Sequence, residues 1–158
     1  MSEAIGKALG RLSSGLFIVS TKHEDKQVGM LASWVMQAGF EPPMVTVVFG
    51  KDRGILEMVE GSGSFTISVL GKDDGSLMKP FFSEPKDGED HFTSLDVGVS
   101  EKANSAPYLK DGLSWMACQV KGKIESGDHV VVLAEVVEGD LLKSGEPKTH
   151  ARESGFKY

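Results

Sequence analysis

Residues 29–43 read Gly29-Met30-Leu31-Ala32-Ser33-Trp34-Val35-Met36-Gln37-Ala38-Gly39-Phe40-Glu41-Pro42-Pro43. The stretch lies between apolar segments that read as strands, yet it carries groups that a buried strand avoids. A hydroxyl (Ser33), an indole N–H (Trp34) and an amide (Gln37) follow closely, and two prolines pin the far end. Such a run offers a ligand backbone amides, side-chain donors and an aromatic wall within one short span.

Working outward, Val28 to Ser33 reads as a strand, preceded by the polar turn Lys22-His23-Glu24-Asp25-Lys26-Gln27 and the apolar run Leu16-Phe17-Ile18-Val19-Ser20-Thr21. Ile5, Ala8, Leu9 and Leu12 recur at helical spacing and predict a helix over residues 2–14, which Gly15 stops. On the other side, Met44-Val45-Thr46-Val47-Val48-Phe49 is a strand, helped by the Pro42-Pro43 pair that favours extended backbone. Residues 52–60 read as a short helix with Ile55, Leu56 and Val59 on one face, and Phe65 to Leu70 as a half-buried strand. A second short helix is expected over 73–82, then a long irregular excursion over 83–105, the kind of loop that is usually functional. Two long strands, 113–124 and 129–137, are joined by Glu125-Ser126-Gly127-Asp128, and a polar tail runs from 141 to 158 that is expected to lie across a neighbour. About six strands without regular βαβ alternation exclude a doubly wound sheet. They predict a mainly β domain over residues 1–158, a small closed antiparallel barrel with short helices.

The bulk composition narrows function. A chain of 158 residues with 40% hydrophobic content buries a core without metals or disulfides. With 23 acidic against 17 basic residues the net charge is −6, which disfavours nucleic acid and anionic membranes as partners. The single cysteine, Cys118, sits in the apolar run Trp115-Met116-Ala117-Cys118 and reads as an inert buried thiol. No apolar run approaches the ~20 residues of a spanning helix, so a soluble cytoplasmic protein is expected. Trp115 and the pair Phe81-Phe82 read as core.

Gly61-Ser62-Gly63-Ser64 precedes a strand and lacks the lysine of a phosphate loop, so it is a turn. No GxGxxG occurs. The histidines, at 23, 91, 129 and 150, have no metal-ligand spacing, and no metal site is expected. His129 follows Gly127-Asp128 at a strand start. A turn there either aims the imidazole into a cleft or leaves it hydrogen-bonded to Asp128. Lys51-Asp52-Arg53 lies between a strand end and a helix start. Two cations beside free helix amides suit a phosphate, and the alternative is a solvated surface loop.

Residues 30–42 resemble the characteristic segment of the flavin reductase-like, FMN-binding split-barrel family, in particular the C-terminal flavin reductase module of photosynthetic, cyanobacterial-type flavodiiron proteins. Ala8-Leu9-Gly10-Arg11, Gly15 to Val19, Lys51-Asp52-Arg53, Phe65 to Leu70, Leu77 to Phe82 and His150 to Tyr158 are similar to further motifs of that module, in its order. Gln37 and Gly39 stand where many relatives carry hydroxyl residues, and Ser68 where many carry asparagine. The resemblance implies an antiparallel six-stranded split barrel of Greek-key type, a homodimer with FMN near the subunit interface, and oxidation of NADH or NADPH by flavin. It implies that Met30, Leu31, Ala32, Ser33 and Trp34 line the isoalloxazine and ribityl chain. Lys51, Asp52 and Arg53 with Ser33 or Gln37 would serve the phosphate, and His129 the nicotinamide. The electrons would pass to an acceptor such as a flavodiiron core. An FMN-binding electron carrier reduced by a protein partner, without NAD(P)H, is the alternative function, and an empty dimerisation barrel a third. Hydride transfer between stacked rings needs positioning more than a protein acid or base, consistent with a sequence lacking an obvious catalytic constellation.

Overall fold

The computed structural model describes residues 1–158. In chain order it comprises α1 (Glu3–Leu9), β1 (Ser14–Gly15), β2 (Phe17–His23), β3 (Lys26–Ala32), β4 (Val35–Phe40), β5 (Pro43–Gly50), α2 (Gly54–Ser62), β6 (Ser64–Val69), β7 (Val97–Ser100), β8 (Ala106–Leu109), β9 (Ser114–Ser126), β10 (His129–Leu141) and β11 (Thr149–His150). Residues 75–81 form a 3-10 helix, and a shorter 3-10 turn spans Glu101–Ala103.

Seven strands form one sheet in the order β3-β2-β6-β9-β10-β5-β4, every neighbouring pair antiparallel. Its two edge strands, β3 and β4, are consecutive in the chain and joined only by Ser33 and Trp34. The sheet therefore curls into a barrel that is split at those two residues. One backbone bond, from the Val48 N–H to the Trp34 carbonyl, crosses from the connection to β5. The expected antiparallel split barrel is present. β4 is the additional strand: Val35 to Phe40 pairs with β5 across a register shift between Gln37 and Gly39. Register shifts also fall between Leu133 and Ala134 and between Val136 and Glu138 on β10, where bulges bend the long β9–β10 hairpin around the core.

Strand alternation fills the barrel. Val45, Val47 and Phe49 on β5 and Val130, Val132 and Ala134 on β10 point inward, and Phe49 meets Phe65 edge-to-face at 6.2 Å. α2 caps the core with Ile55, Leu56 and Val59, each contributing about 1.5–3 kcal/mol of burial. Gly63 follows at φ +70°, the left-handed stop that lets the chain enter β6. The glycine-serine run is thus a helix end. β2 is covered on both faces, since Leu16, Ile18 and Leu70 pack outward under Phe92 and Leu109. That accounts for the unbroken apolar run at 16–19.

The first helix is shorter than its apolar spacing predicts. It ends at Leu9, and Ile5 and Leu12 are exposed. Its role is to hold the 150–158 segment: Gly155 donates to the Gly6 carbonyl at 2.7 Å, and Arg11 donates to the Arg152 carbonyl at 2.7 Å. The 83–105 excursion is partly ordered into β7, which pairs with β8 just beyond it, and into the 3-10 turn, and it packs on β3 at Gly29. The Gly29 N–H donates to His91 Nδ1, and a Cβ at 29 would run into the Phe81 and Phe92 rings. No helix is long and apolar enough to cross a membrane.

Candidate functional site

A cavity of about 590 Å³ opens at the barrel seam, inside the roughly 300–1,000 Å³ range of small-molecule sites. Its apolar wall comes from Met30, Leu31, Ala32 and Trp34 at the end of β3, facing Met78, Phe81 and Phe82 from the 3-10 helix. Its polar side is made by Ser33, Arg53, Lys148 and the β11 residues Thr149 and His150. Tyr158 closes one margin.

Ser33 is the centre of this arrangement. It is buried, and neither its hydroxyl nor its amide has a hydrogen-bond partner within the protein, while the hydroxyl reaches the cavity surface. The hydroxyl, open to the cavity, and the amide are therefore available to a bound ligand. Arg53 is exposed and lines the cavity, and its guanidinium makes no ion pair or hydrogen bond. It sits at the N-cap of α2, where the Gly54 and Ile55 amides are also without partners. A flat apolar slot, a free hydroxyl and amide, and an unpaired guanidinium at a helix start together suit a planar ring carrying an anionic tail.

The other expected residues fall differently. Gln37 lies on the exposed edge strand β4 and donates to the Gly39 carbonyl at 3.3 Å, outside the cavity. Lys51 turns to Glu125 at 2.5 Å, across the β5–β10–β9 end, and that pairing holds the Glu125 carboxyl below its ordinary range. Asp52 is exposed and outside the lining. Of the cationic triplet, Arg53 alone faces the cavity.

His129 starts β10 opposite Gly50, and its ring lies 4.9 Å from Trp34. Of the two openings left by the sequence, the hydrogen bond to Asp128 is present, and His129 is not among the residues lining the cavity. Nδ1 is 2.6 Å from the Asp128 carboxylate, whose pKa is lowered by that bond and by the charge of the ring. Nε2 meets the Tyr158 hydroxyl at 2.5 Å. Asp128 and Tyr158 thus hold the ring from its two nitrogens, beside Trp34.

Four residues at or beside the site were not among those expected from the sequence. Phe81 and Phe82, taken as core, form a wall of the cavity, with Phe82 largely exposed. Arg152 lies over the Trp34 ring at 5.1 Å, and Tyr158 is 5.6 Å from the same ring. Both come from the polar tail, more than a hundred residues from Trp34, in the segment His150 to Tyr158 whose resemblance to a family motif assigned them no contact with the site. Trp115 is core as expected, stacked on Tyr108 at 3.9 Å. Cys118 is fully buried, and burial pushes its thiol up to about 12, so it is inert.

Comparison with known proteins adds the family. The model of the flavin reductase like domain matches residues 9–156. The chain belongs to that family. It is 35% identical over 154 residues to diflavin flavoprotein A 1 of Synechocystis sp., an alignment covering 96% of this chain and 26% of that protein. The chain therefore spans about a quarter of the length of the curated relatives it matches. Among solved structures, the NADH:FAD oxidoreductase SgcE6 of Streptomyces globisporus superposes with a TM-score of 0.84 at 24% identity, covering 92% of this chain and 85% of that one. The styrene monooxygenase flavin reductase of Pseudomonas putida S12 gives 0.77 at 20% identity, covering 92% and 90%. At these identities the structural matches establish the fold.

Proposed function

We propose that the cavity at the barrel seam binds FMN and that the domain is an NAD(P)H-dependent flavin reductase that passes electrons to an acceptor. The observation that carries this reading is the pairing of buried, unpartnered Ser33 with the free Arg53 guanidinium on either side of an aromatic-lined slot. Met30, Leu31, Ala32 and Trp34 would form the wall for the ring system, with Phe81 and Phe82 opposite. Ser33 would offer its amide and hydroxyl to the ring edge or ribityl chain. Arg53, with the free amides at the start of α2, would hold the phosphate, because a charge-assisted bond to a cation at a helix N-terminus gains from both. Bound FMN would supply the chemistry, accepting hydride from NADH or NADPH. His129, fixed by Asp128, would present Nε2 to the nucleotide at the cavity mouth. Trp34 and the 3-10 helix would exclude water from the slot. Lys51 sits outside this set, tied to Glu125.

A homodimer fits the outer surface of the seam. Met36 and Phe40 on β4, and Leu133 on β10 and Ile124 on β9 across the intervening β5, are exposed on the same side of the sheet order. An apolar stripe of this kind is suited to covering by a second copy.

The length of the relatives favours one other reading, an FMN-binding electron carrier that is reduced by a protein partner instead of NAD(P)H and passes electrons to an acceptor such as a flavodiiron core. Mixing the FMN-loaded protein with NADH and with NADPH, without oxygen, decides between them. Rapid bleaching of the flavin supports the reductase, and an unchanged spectrum supports the carrier.

A further inference from the structure

We propose that Tyr158 is a displaceable plug standing where the nicotinamide ring of NADH or NADPH enters, so that the dinucleotide binds by pushing it aside. The inference rests on the flavin-site reading above and adds a regulator of nucleotide access to it.

Tyr158 lines the same cavity as Ser33, Trp34 and Arg53. Its ring is 5.6 Å from Trp34 and 6.1 Å from His129, and its hydroxyl meets His129 Nε2. Since Asp128 already occupies Nδ1, His129 has no ring nitrogen left for a nucleotide while Tyr158 is docked. Trp34, His129 and Tyr158 thus form one aromatic group, and an incoming aromatic ring that contacts the first two must take the place of the third.

The contact is built to be left. Tyr158 is 71% exposed. The backbone bonds to α1 end at Gly155, and neither Lys157 nor Tyr158 donates a backbone hydrogen bond. One long bond, from Arg152 Nη1 to the Lys157 carbonyl at 3.4 Å, holds the backbone beyond Phe156. The 152–155 portion is strapped down to α1, and the Tyr158 ring is held by its contacts with His129 and Trp34.

A competitor inside the protein lowers apparent nucleotide affinity by the fraction of molecules with the site open. Losing one hydrogen bond of the Tyr–His kind shifts that fraction by about 2- to 12-fold. The test is equilibrium titration of NAD⁺ onto the FMN-loaded protein, followed by the visible difference spectrum, for wild type, Tyr158→Phe and Tyr158→Ala. KM for NADH and NADPH is measured alongside, and FMN affinity is measured for all three proteins. The expected result is tighter NAD⁺ binding and lower KM, about 2- to 12-fold for Tyr158→Phe and at least as much for Tyr158→Ala. A gain in affinity is a readout that structural damage does not produce. Unchanged or weaker NAD⁺ binding in both variants, with FMN affinity intact, overturns the plug and leaves the flavin site standing. FMN binding without nucleotide binding in any of the three proteins does the same. A wild-type protein that takes up no FMN overturns both.

Discussion

Arg53→Ala is the substitution that asks most of the flavin-site reading. Arg53 is the one member of the cationic triplet that lines the cavity, and it has no protein partner to lose. Removing it therefore leaves the fold nearly untouched, with a stability change within about 0.5 kcal/mol, as for an exposed side chain without contacts. Ligand binding responds differently. A guanidinium bonded to a phosphate contributes about 1.5–3 kcal/mol, and each ~1.4 kcal/mol is tenfold in affinity, so FMN should bind about 10- to 150-fold more weakly. Riboflavin, which lacks the phosphate, should bind wild type and variant alike. The assay is quenching of flavin fluorescence during titration of each ligand at fixed salt, with a thermal melt of the unliganded proteins as control. Equal FMN affinity in the two proteins would refute the placement of the phosphate at the start of α2. An equal loss for FMN and riboflavin would refute it too, since the effect would then be on the ring.

Further outcomes follow from the same geometry. His129→Ala should slow flavin reduction by NADH in anaerobic stopped flow while FMN stays bound, and release of FMN instead would make His129 part of the cofactor's support. Gly29→Ala should lower stability by about 1–3 kcal/mol in denaturant titration, because the new methyl must displace the Phe81 and Phe92 rings. A loss below a few tenths would contradict the packing of the excursion on β3. Cys118, with its thiol raised to about 12 by burial, should resist a thiol reagent at neutral pH until the protein unfolds, and rapid labelling of the native chain would contradict its burial. Burial raises the Tyr158 hydroxyl above its ordinary value near 10. Its docking contribution should be complete below about pH 10 and vanish as pH climbs through the raised value. Phenolate absorbance against pH, compared with Tyr158→Phe, reads this directly, and titration of Tyr158 at or below the ordinary value would contradict it.

The barrel strands were legible where burial imposes a period. β5 and β10 alternate inward valines with outward residues, and β6 interleaves Phe65, Ile67 and Val69 with small hydroxyls. β4 was not, because an edge strand with one exposed face imposes no alternation on Met36, Gln37 and Ala38. The helix over 2–14 was overextended because Leu12 continues the apolar spacing in a segment whose contacts are with the tail. At the site, Ser33, Trp34 and Arg53 stood out as polar or cationic groups placed at element junctions. Which cation of the triplet faces the cavity was not readable, since Lys51 is turned away by Glu125, 74 positions further along the chain. Arg152 and Tyr158 reach Trp34 only because α1 straps the tail across the seam, a contact set by tertiary structure and invisible in any local window.

The most direct test of the central claim is the visible spectrum of the purified protein loaded with FMN, recorded before and after adding NADH and then NADPH in the absence of oxygen. The account predicts a yellow protein, about one flavin per chain, that one or both nucleotides bleach. A colourless protein that retains no FMN at saturating concentration would contradict it.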